Sequence, residues 1–218
     1  MKHKYLVLDF GNVIVTPTTG DWNITPKFLE LVDVDKIGKE KVKEAISHNS
    51  HMLAEKLLTL EEELDMFKRF YKGILNEIGI TDESIIYDIA YDRTYNNTKY
   101  TLCDNVKEEL DNLKDKYTLL MLSDNWPCVI PYLKEYDLYD YFEKVYVSSI
   151  YGCEKQDKVF FDFLINDYNV KPGEAIFIDD MEKNLDVAKE KGFDVYLMDR
   201  LKNNNESKYI VINDLNNI

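Results

Sequence analysis

The sequence predicts an α/β protein: a doubly wound parallel sheet with an all-α subdomain inserted near its beginning. Three observations support this fold class. A short apolar segment at residues 4–8 leads directly into Asp9, residues 25–97 show helical patterns without a convincing strand, and the chain after residue 104 alternates strand-like with helix-like segments. Such alternation is typical of a parallel sheet with helices on both faces.

Composition sets the class of protein and limits its partners. The 218 residues are 45% hydrophobic and 31% charged, which is ordinary for a soluble globular protein with room for one domain and an insertion. There are 27 Lys and Arg residues against 41 Asp and Glu residues, a net charge of −14. This balance argues against nucleic acid or an anionic membrane as the main partner, and requires local groups to hold any anionic substrate.

Cysteine usage and hydropathy indicate a cytoplasmic location. Cys103, Cys128 and Cys153 are widely spaced and odd in number, which fits neither a disulfide framework nor a zinc site and suits a reducing compartment. No apolar run has the length of a transmembrane helix, and we expect no signal peptide because the first apolar segment has the pattern of a strand.

The first predicted strand covers residues 4–8 and ends at Asp9. A short, uninterrupted apolar run is typical of a strand buried on both faces, and open α/β sheets bind ligands at the carboxyl ends of such strands. Gly11 allows a close backbone approach to a ligand, and Asn12 tolerates turn geometry. An isolated strand-Asp-Gly segment would more simply be a turn, so the interpretation of Asp9 depends on the rest of the chain.

The segment that follows predicts a loop and then helices. Residues 15–22 contain the Pro, Gly and Thr residues of a loop. The clearest helix spans residues 61–78, with its apolar side chains on one broad face. Gly79 is expected to end this helix and Thr81 to cap the next one. The inserted subdomain is predicted to cover residues 17–99.

Residues 1–16 and 100–218 are predicted to form the α/β domain. Its later strands are predicted at residues 117–122, 144–148, 175–178 and 193–197, with a short edge element near 209–212. Its helices are predicted at residues 104–116, 128–136, 157–168 and 185–191.

Polar side chains follow the predicted strands. They are Asp9, Ser123, Lys155 shortly after the third strand, and the pair Asp179 and Asp180. In a parallel sheet the carboxyl ends share one edge, so these groups are expected to converge. Neighbouring carboxylates repel each other unless a cation lies between them, and Mg²⁺ prefers oxygen ligands. With Lys155 and Ser123 completing an anion pocket, the set suits phosphoryl transfer.

Four motifs in this order resemble those of the haloacid dehalogenase-like (HAD-like) hydrolase superfamily over nearly the whole chain. They lie at residues 6–13 (LVLDFGNV), 119–123 (LLMLS), 152–155 (GCEK) and 177–184 (FIDDMEKN). Each motif alone is weak, but four at the family's spacing form a strong signal. The helical insertion after the first motif resembles the helical cap of this family, in the subclass similar to sugar-phosphate phosphatases with an Asp-x-Gly-Asn first motif.

The resemblance implies a Rossmann-like core and a Mg²⁺-dependent phosphatase acting on a small phosphorylated metabolite. Asp9 would be the nucleophile and form an aspartyl-phosphate. The implied catalytic residues are Asp9, Ser123 and Lys155. The implied substrate-binding residues are Ser123, Asp124 and Lys155. The implied metal ligands are Asp9, the Gly11 carbonyl and Asp180, with Asp179 as a further ligand or as a support beside them.

The chain departs from the family pattern at three positions. Gly11 stands where most phosphatases of the family carry a second Asp as general acid and base. Gln156 replaces the usual Pro after the lysine. Asp124 follows Ser123 where Asn is commoner, and an ionised Asp124 would repel a phosphate, so its carboxylate is expected to point away.

Two alternatives to the phosphatase follow from these departures. A haloacid dehalogenase also lacks the second Asp, because halide needs no protonation. The pair Asp179 and Asp180 argues against it, since metal-independent dehalogenases lack paired acids. The other alternative, motivated by Gly11, is a non-catalytic relative that binds phosphate or a partner.

Overall fold

The computed structural model describes residues 3–53, 56–171, 173–202 and 206–218. The chain forms two compact units. One consists of Met1–Thr16 together with Leu102–Ile218, and the other of Pro17–Thr101. The second boundary lies two residues beyond the expected one.

A parallel sheet forms the centre of the first unit and confirms the predicted fold class. The strands of the chain are β1 (Tyr5–Leu8), β2 (Val15–Pro17), β3 (Tyr100–Leu102), β4 (Thr118–Ser123), β5 (Lys144–Val147), β6 (Ala175–Asp179), β7 (Asp194–Met198) and β8 (Val211–Ile212). Six of them form one sheet in the order β5-β4-β1-β6-β7-β8, and every described pair in it is parallel. The chain therefore builds outward from β1 on one side and then crosses to the other, which makes the β1–β6 junction a topological switch point.

The remaining strands, β2 and β3, pair with each other as a separate two-stranded sheet. The prediction of a loop over residues 15–22 was wrong at its start, and β3 was not predicted. Each of these strands has only three residues, too few for the alternation of apolar and polar side chains to be recognisable.

The apolar run of β1 is explained by burial on both faces. Val7 packs in a cluster with residues of β4, β6 and the helices α9 (Lys158–Tyr168) and α10 (Glu182–Glu190). Leu6 and Leu8 point to the opposite face and are equally buried. Phe161 of α9 meets the Phe177 ring of β6 edge-on, with centroids 5.2 Å apart. Helix packing thus fixes the strands whose ends carry Asp9 and Asp179.

Helices account for most of the remaining structure. The second unit contains α1 (Pro26–Leu31), α2 (Val34–Ile37), α3 (Lys39–Asn49), α4 (Leu60–Ile78) and α5 (Glu83–Tyr95). The first unit contains α6 (Val106–Lys114), α7 (Val129–Glu135), α8 (Ser148–Tyr151), α9 (Lys158–Tyr168) and α10 (Glu182–Glu190). Short 3₁₀ turns lie at Ser50–Leu53, Asn97–Lys99, Tyr139–Tyr141 and Leu215–Asn217.

Local capping explains the bounds of α4 and α5. The Thr59 hydroxyl accepts a hydrogen bond from the Glu62 amide at 3.2 Å, and the Glu62 carboxylate accepts one from the Thr59 amide at 3.1 Å, which forms a capping box. Helix α4 ends, as predicted, at Gly79, whose φ of 94° is left-handed. The predicted cap of α5 was wrong by one residue: Asp82, not Thr81, accepts the Ser84 amide at 2.9 Å.

Gly73 of α4 is required by close packing against α3. A Cβ at this position would overlap Asn49 Oδ1 and lie 2.7 Å from its Cγ. Asn49 is buried and cannot swing away freely, because its Nδ2 donates to the Ala45 carbonyl at 2.8 Å and to Glu77 at 3.3 Å. The glycine thus serves the contact between the two helices.

We expect Gly73→Ala to destabilise the protein, although Ala is the better helix former by about 1 kcal/mol. Overpacking against Asn49 should dominate, with a net loss of about 1–3 kcal/mol in the free energy of unfolding. Denaturant unfolding of Gly73→Ala, Asn49→Ala and the double variant measures the coupling. Asn49→Ala should remove most of the penalty of the alanine, and a Gly73→Ala protein more stable than the wild type would contradict the packing argument.

Candidate active site

Three carboxylates meet at the carboxyl edge of the sheet. Asp9 follows β1, Asp179 ends β6, and Asp180 comes next. The Asp9 amide donates to the Ile178 carbonyl at 3.0 Å, which continues the β1–β6 ladder one residue beyond Leu8. One carboxylate oxygen from each of the three acids lies within 4.8 Å of the others. The cluster occupies the switch point of the sheet, where open α/β proteins bind ligands.

Lys155 joins two of these acids. Its Nζ lies 2.8 Å from Asp9 Oδ1 and 2.7 Å from Asp179 Oδ2, and the side chain is almost fully buried. The backbone brings it there through the turn after α8, in which Gly152 has a φ of 71°. The Lys155 amide also donates to Asp124 Oδ1 at 2.9 Å, which ties this turn to the loop after β4.

Asp179 uses both carboxylate oxygens within the protein. Besides Lys155, it accepts the Met181 amide at 2.8 Å and the Asn184 side-chain amide at 3.0 and 3.1 Å. Its side chain is fully buried, and these donors offset the cost of burying the charge. Asp179 therefore fixes the position of Lys155 and the entry to α10.

Asp180 is held by the loop that follows β1. Asn12 Nδ2 donates to Asp180 Oδ2 at 2.7 Å, and the Asn12 amide donates to the Val15 carbonyl at 2.7 Å. The φ of Asn12 is 53°, a left-handed conformation that Asn tolerates better than most residues. Sequence reasoning treated Asn12 only as a turn residue and missed this contact with an acid 168 residues away.

The electrostatics of the cluster favour an additional cation. With all three acids ionised, the acids and Lys155 together carry a formal charge of −2. Burial raises the pKa of Asp9 to about 8; Lys155 opposes this increase, and Asp179 and Asp180 add to it. Burial also raises the pKa of Asp180, against the hydrogen bond from Asn12. A divalent cation would match the excess charge, and the all-oxygen donor set suits Mg²⁺.

The same carboxylates keep Lys155 charged. Burial by itself would lower the pKa of Lys155, but the carboxylates of Asp179 and Asp9 outweigh it and hold the pKa above its usual value. A cationic ammonium is therefore fixed beside Asp9.

Ser123, Asp124 and Gly11 lie around this cluster. Ser123 is the buried last residue of β4, the strand next to β1, so it shares the edge with Asp9. Within the described residues no hydrogen bond joins Ser123 to Asp9 or Lys155. Asp124 is exposed and directs one oxygen at the Lys155 amide. Gly11 forms an isolated bridge with Val15 in the loop that carries Asn12.

Fold and site define a hydrolase of a known family. The family model described as haloacid dehalogenase-like hydrolase matches residues 3–192. The chain belongs to this family, as its four motifs predicted. The helical-cap subclass of the second unit stays a prediction.

Part of the chain is similar to a curated phosphatase. The chain is 34% identical over 91 residues to the D-ribitol-5-phosphate phosphatase of Bacteroides thetaiotaomicron, a match that spans 38% of this chain and 44% of that protein. The aligned part is thus less than half the length of this curated relative.

Solved structures support the fold. The HAD family enzyme bt-2542 from Bacteroides thetaiotaomicron, in its magnesium complex, is similar with a TM-score of 0.66 and 24% identity over 93% of this chain and 96% of that one. A dehalogenase is similar with a TM-score of 0.72 and 16% identity over 99% and 95%. At these identities the likeness concerns the fold alone.

Among residues 3–53, 56–171, 173–202 and 206–218, none of the helices combines the length and the apolar character needed to cross a membrane.

The burial of Lys155 predicts a large effect of its removal. Lys155→Met leaves buried acids without their counter-charge, so we expect a loss of about 3–5 kcal/mol in the free energy of unfolding, measured with urea in the presence of a chelator. Lys158→Met is the control, because Lys158 forms an exposed ion pair with Glu190 and should contribute little. Equal stabilities of the two variants would refute the electrostatic account of the cluster.

Proposed function

We propose that this protein is a Mg²⁺-dependent phosphatase that hydrolyses the phosphate monoester of a small metabolite through an aspartyl-phosphate on Asp9. The observation that carries the proposal is the arrangement around Asp9. Lys155 holds Asp9 Oδ1, whereas no described residue donates a hydrogen bond to Asp9 Oδ2. Asp9 thus has one fixed oxygen and one available for bonding to phosphorus or a cation.

The carboxylates divide into two roles under this proposal. Asp9 and Asp180, with the carbonyl of Gly11, would hold Mg²⁺. Asp179 would instead fix Lys155, because donors from the protein already occupy both of its oxygens. When bound, Mg²⁺ would supply charge neutralisation for the phosphoryl oxygens and would relieve the repulsion among the acids.

The side chains of the protein supply the remaining chemistry. The Asp9 carboxylate attacks phosphorus and the phosphorus–oxygen bond to the alcohol breaks, with the leaving oxygen taking a proton from solvent water. A second water then attacks the phosphorus of the aspartyl-phosphate and passes its proton to solvent, which releases inorganic phosphate and returns the Asp9 carboxylate. Lys155 and the Ser123 hydroxyl hold the phosphoryl oxygens as charge redistributes. Asp124, which is engaged by the Lys155 amide, is proposed to border the substrate rather than to bind its phosphate.

The D-ribitol-5-phosphate phosphatase relative makes polyol and sugar phosphates the first substrates to test. The second unit is proposed as the helical cap of the family. Dehalogenation remains an outcome of the assay and gains no support from fold likeness alone.

We expect Asp9→Asn to abolish phosphatase turnover while the protein stays folded, because the amide cannot attack phosphorus. Turnover of D-ribitol 5-phosphate and p-nitrophenyl phosphate should require Mg²⁺ and disappear with a chelator. Asp162→Asn is the control, since Asp162 pairs with Lys191 away from the cluster. Halide release from a 2-haloacid without metal would favour the dehalogenase, and absence of both activities with Mg²⁺ bound would favour the non-catalytic relative.

Gly11 predicts a steep dependence of rate on the leaving group. A positioned general acid contributes roughly 10²–10⁴-fold when an alkoxide must be protonated, and it contributes little when p-nitrophenolate leaves. Gly11→Asp should therefore raise turnover of alkyl phosphates more than that of aryl phosphates. The measurement compares both proteins over esters graded by leaving-group pKa. A flat dependence in the wild type, with chemistry rate-limiting, would show that a proton donor is already present.

A further inference from the structure

A buried ion pair outside the acidic cluster contacts the loop after β1. Arg200 lies just beyond β7, and its Nη1 and Nη2 donate to the two carboxylate oxygens of Glu109, in α6, at 2.6 and 2.5 Å. The Glu109 side chain is fully buried and that of Arg200 is 9% exposed. Two parallel hydrogen bonds of this kind fix the guanidinium plane as well as its position.

The same guanidinium holds a backbone carbonyl. Arg200 Nε and Nη2 donate to the Val13 carbonyl at 3.2 and 2.9 Å. Val13 directly follows Asn12, whose side chain holds Asp180. The guanidinium therefore links α6 and the end of β7 to the segment that orients a carboxylate of the cluster.

We propose that the Arg200–Glu109 pair is a positioning device for the loop at residues 11–14. By fixing the Val13 carbonyl, it keeps the side-chain amide of Asn12 directed at Asp180. The pair does not touch the reacting atoms, so it acts through this loop. The part of the proposal that concerns Mg²⁺ rests on the proposed function, whereas the ordering of the loop does not.

A variant that lacks the whole ion pair can distinguish a role in positioning the loop from a role in stabilising the fold. Replacing a whole buried ion pair with apolar residues of similar size is often neutral for stability, whereas removing one partner leaves a buried charge unpaired. The double variant Arg200→Met/Glu109→Met therefore removes the anchor of Val13 together with both charges of the pair. Asp214, which interacts with both groups, is only half-buried and stays accessible to water. If the pair served stability alone, this variant would retain an ordered loop and an intact cluster.

Two measurements test the double variant. Hydrogen exchange followed by mass spectrometry should show faster exchange in peptides covering residues 10–15, including the Asn12 amide that bonds to Val15, and unchanged exchange in β6. Calorimetric titration with Mg²⁺ alone should show a dissociation constant raised roughly tenfold to a hundredfold, the usual effect of losing a group that orients a metal ligand.

Two further variants serve as controls. Lys191→Met/Asp162→Met removes another ion pair of the same unit and should leave loop exchange and Mg²⁺ affinity as in the wild type. Arg200→Lys keeps the charge but offers a single ammonium in place of the planar fork. The Mg²⁺ affinity of Arg200→Lys should therefore lie between that of the double variant and that of the wild type.

The outcomes are distinguishable. A folded double variant with wild-type loop exchange and wild-type Mg²⁺ affinity overturns the proposal. Failure of the wild type to bind Mg²⁺ overturns the proposed function, and loop exchange then decides the positioning role by itself. If the double variant does not fold, Arg200→Lys and Glu109→Gln decide by the same two measurements, and wild-type values in both would overturn the proposal.

Discussion

The buried ammonium of Lys155 is the interaction on which the rest of the site depends. It lies between Asp9 and Asp179, so one positive charge allows two acids to remain buried at adjacent strand ends. Asp179 in turn holds Lys155 in place, because the Met181 amide and the Asn184 side chain anchor Asp179 to the first turn of α10. The lysine is thus fixed by the fold and in turn fixes the orientation of Asp9. Three acids face one lysine, so a divalent cation bound here would balance the excess negative charge.

The strand order converts this local chemistry into a ligand site. Asp9 and the acids of β6 are separated by about 170 residues in sequence but are neighbours in the sheet, because β6 returns to pair with β1. A one-residue slip between these strands would turn Asp9 from the open edge toward a helix-covered face. The observed register pairs Leu8 with Ile178, and the Asp9 amide donates to the Ile178 carbonyl, which holds Asp9 at the edge. The pairing of β1 with β6 therefore sets the spacing of the carboxylates within the cluster.

Much of this arrangement could be predicted from the sequence, and the reasons for the exceptions are physical. Long apolar strands and helices such as β4 and α4 were found because periodicity is a local signal. Convergence of the acids followed from the rule that parallel strands end on one edge. The short strands β2 and β3 and the cap at Asp82 were missed, because three residues carry no period and neighbouring Thr and Asp residues are both good caps. The contacts of Asn12 and Arg200 join residues distant in sequence, and no local pattern encodes a partner.

The loop after β1 carries Gly11 in place of an acid, and residues outside the loop hold its conformation. With Gly11 in place of a carboxylate, this loop contributes no further negative charge beside Asp9, so the acids that remain are those held by Lys155 and Asn12. Asn12 adopts a left-handed conformation, and its side chain reaches Asp180. If nothing else held the loop, it could leave this conformation by losing little more than the free energy of one hydrogen bond. The Arg200 guanidinium raises this free-energy cost, because it also holds the Val13 carbonyl of the loop. The fully buried Glu109 fixes the position of the guanidinium. The position of the Asp180 carboxylate therefore depends on α6 and β7 as much as on the loop itself. The loop needs this support because it is too short to form a hydrophobic core of its own.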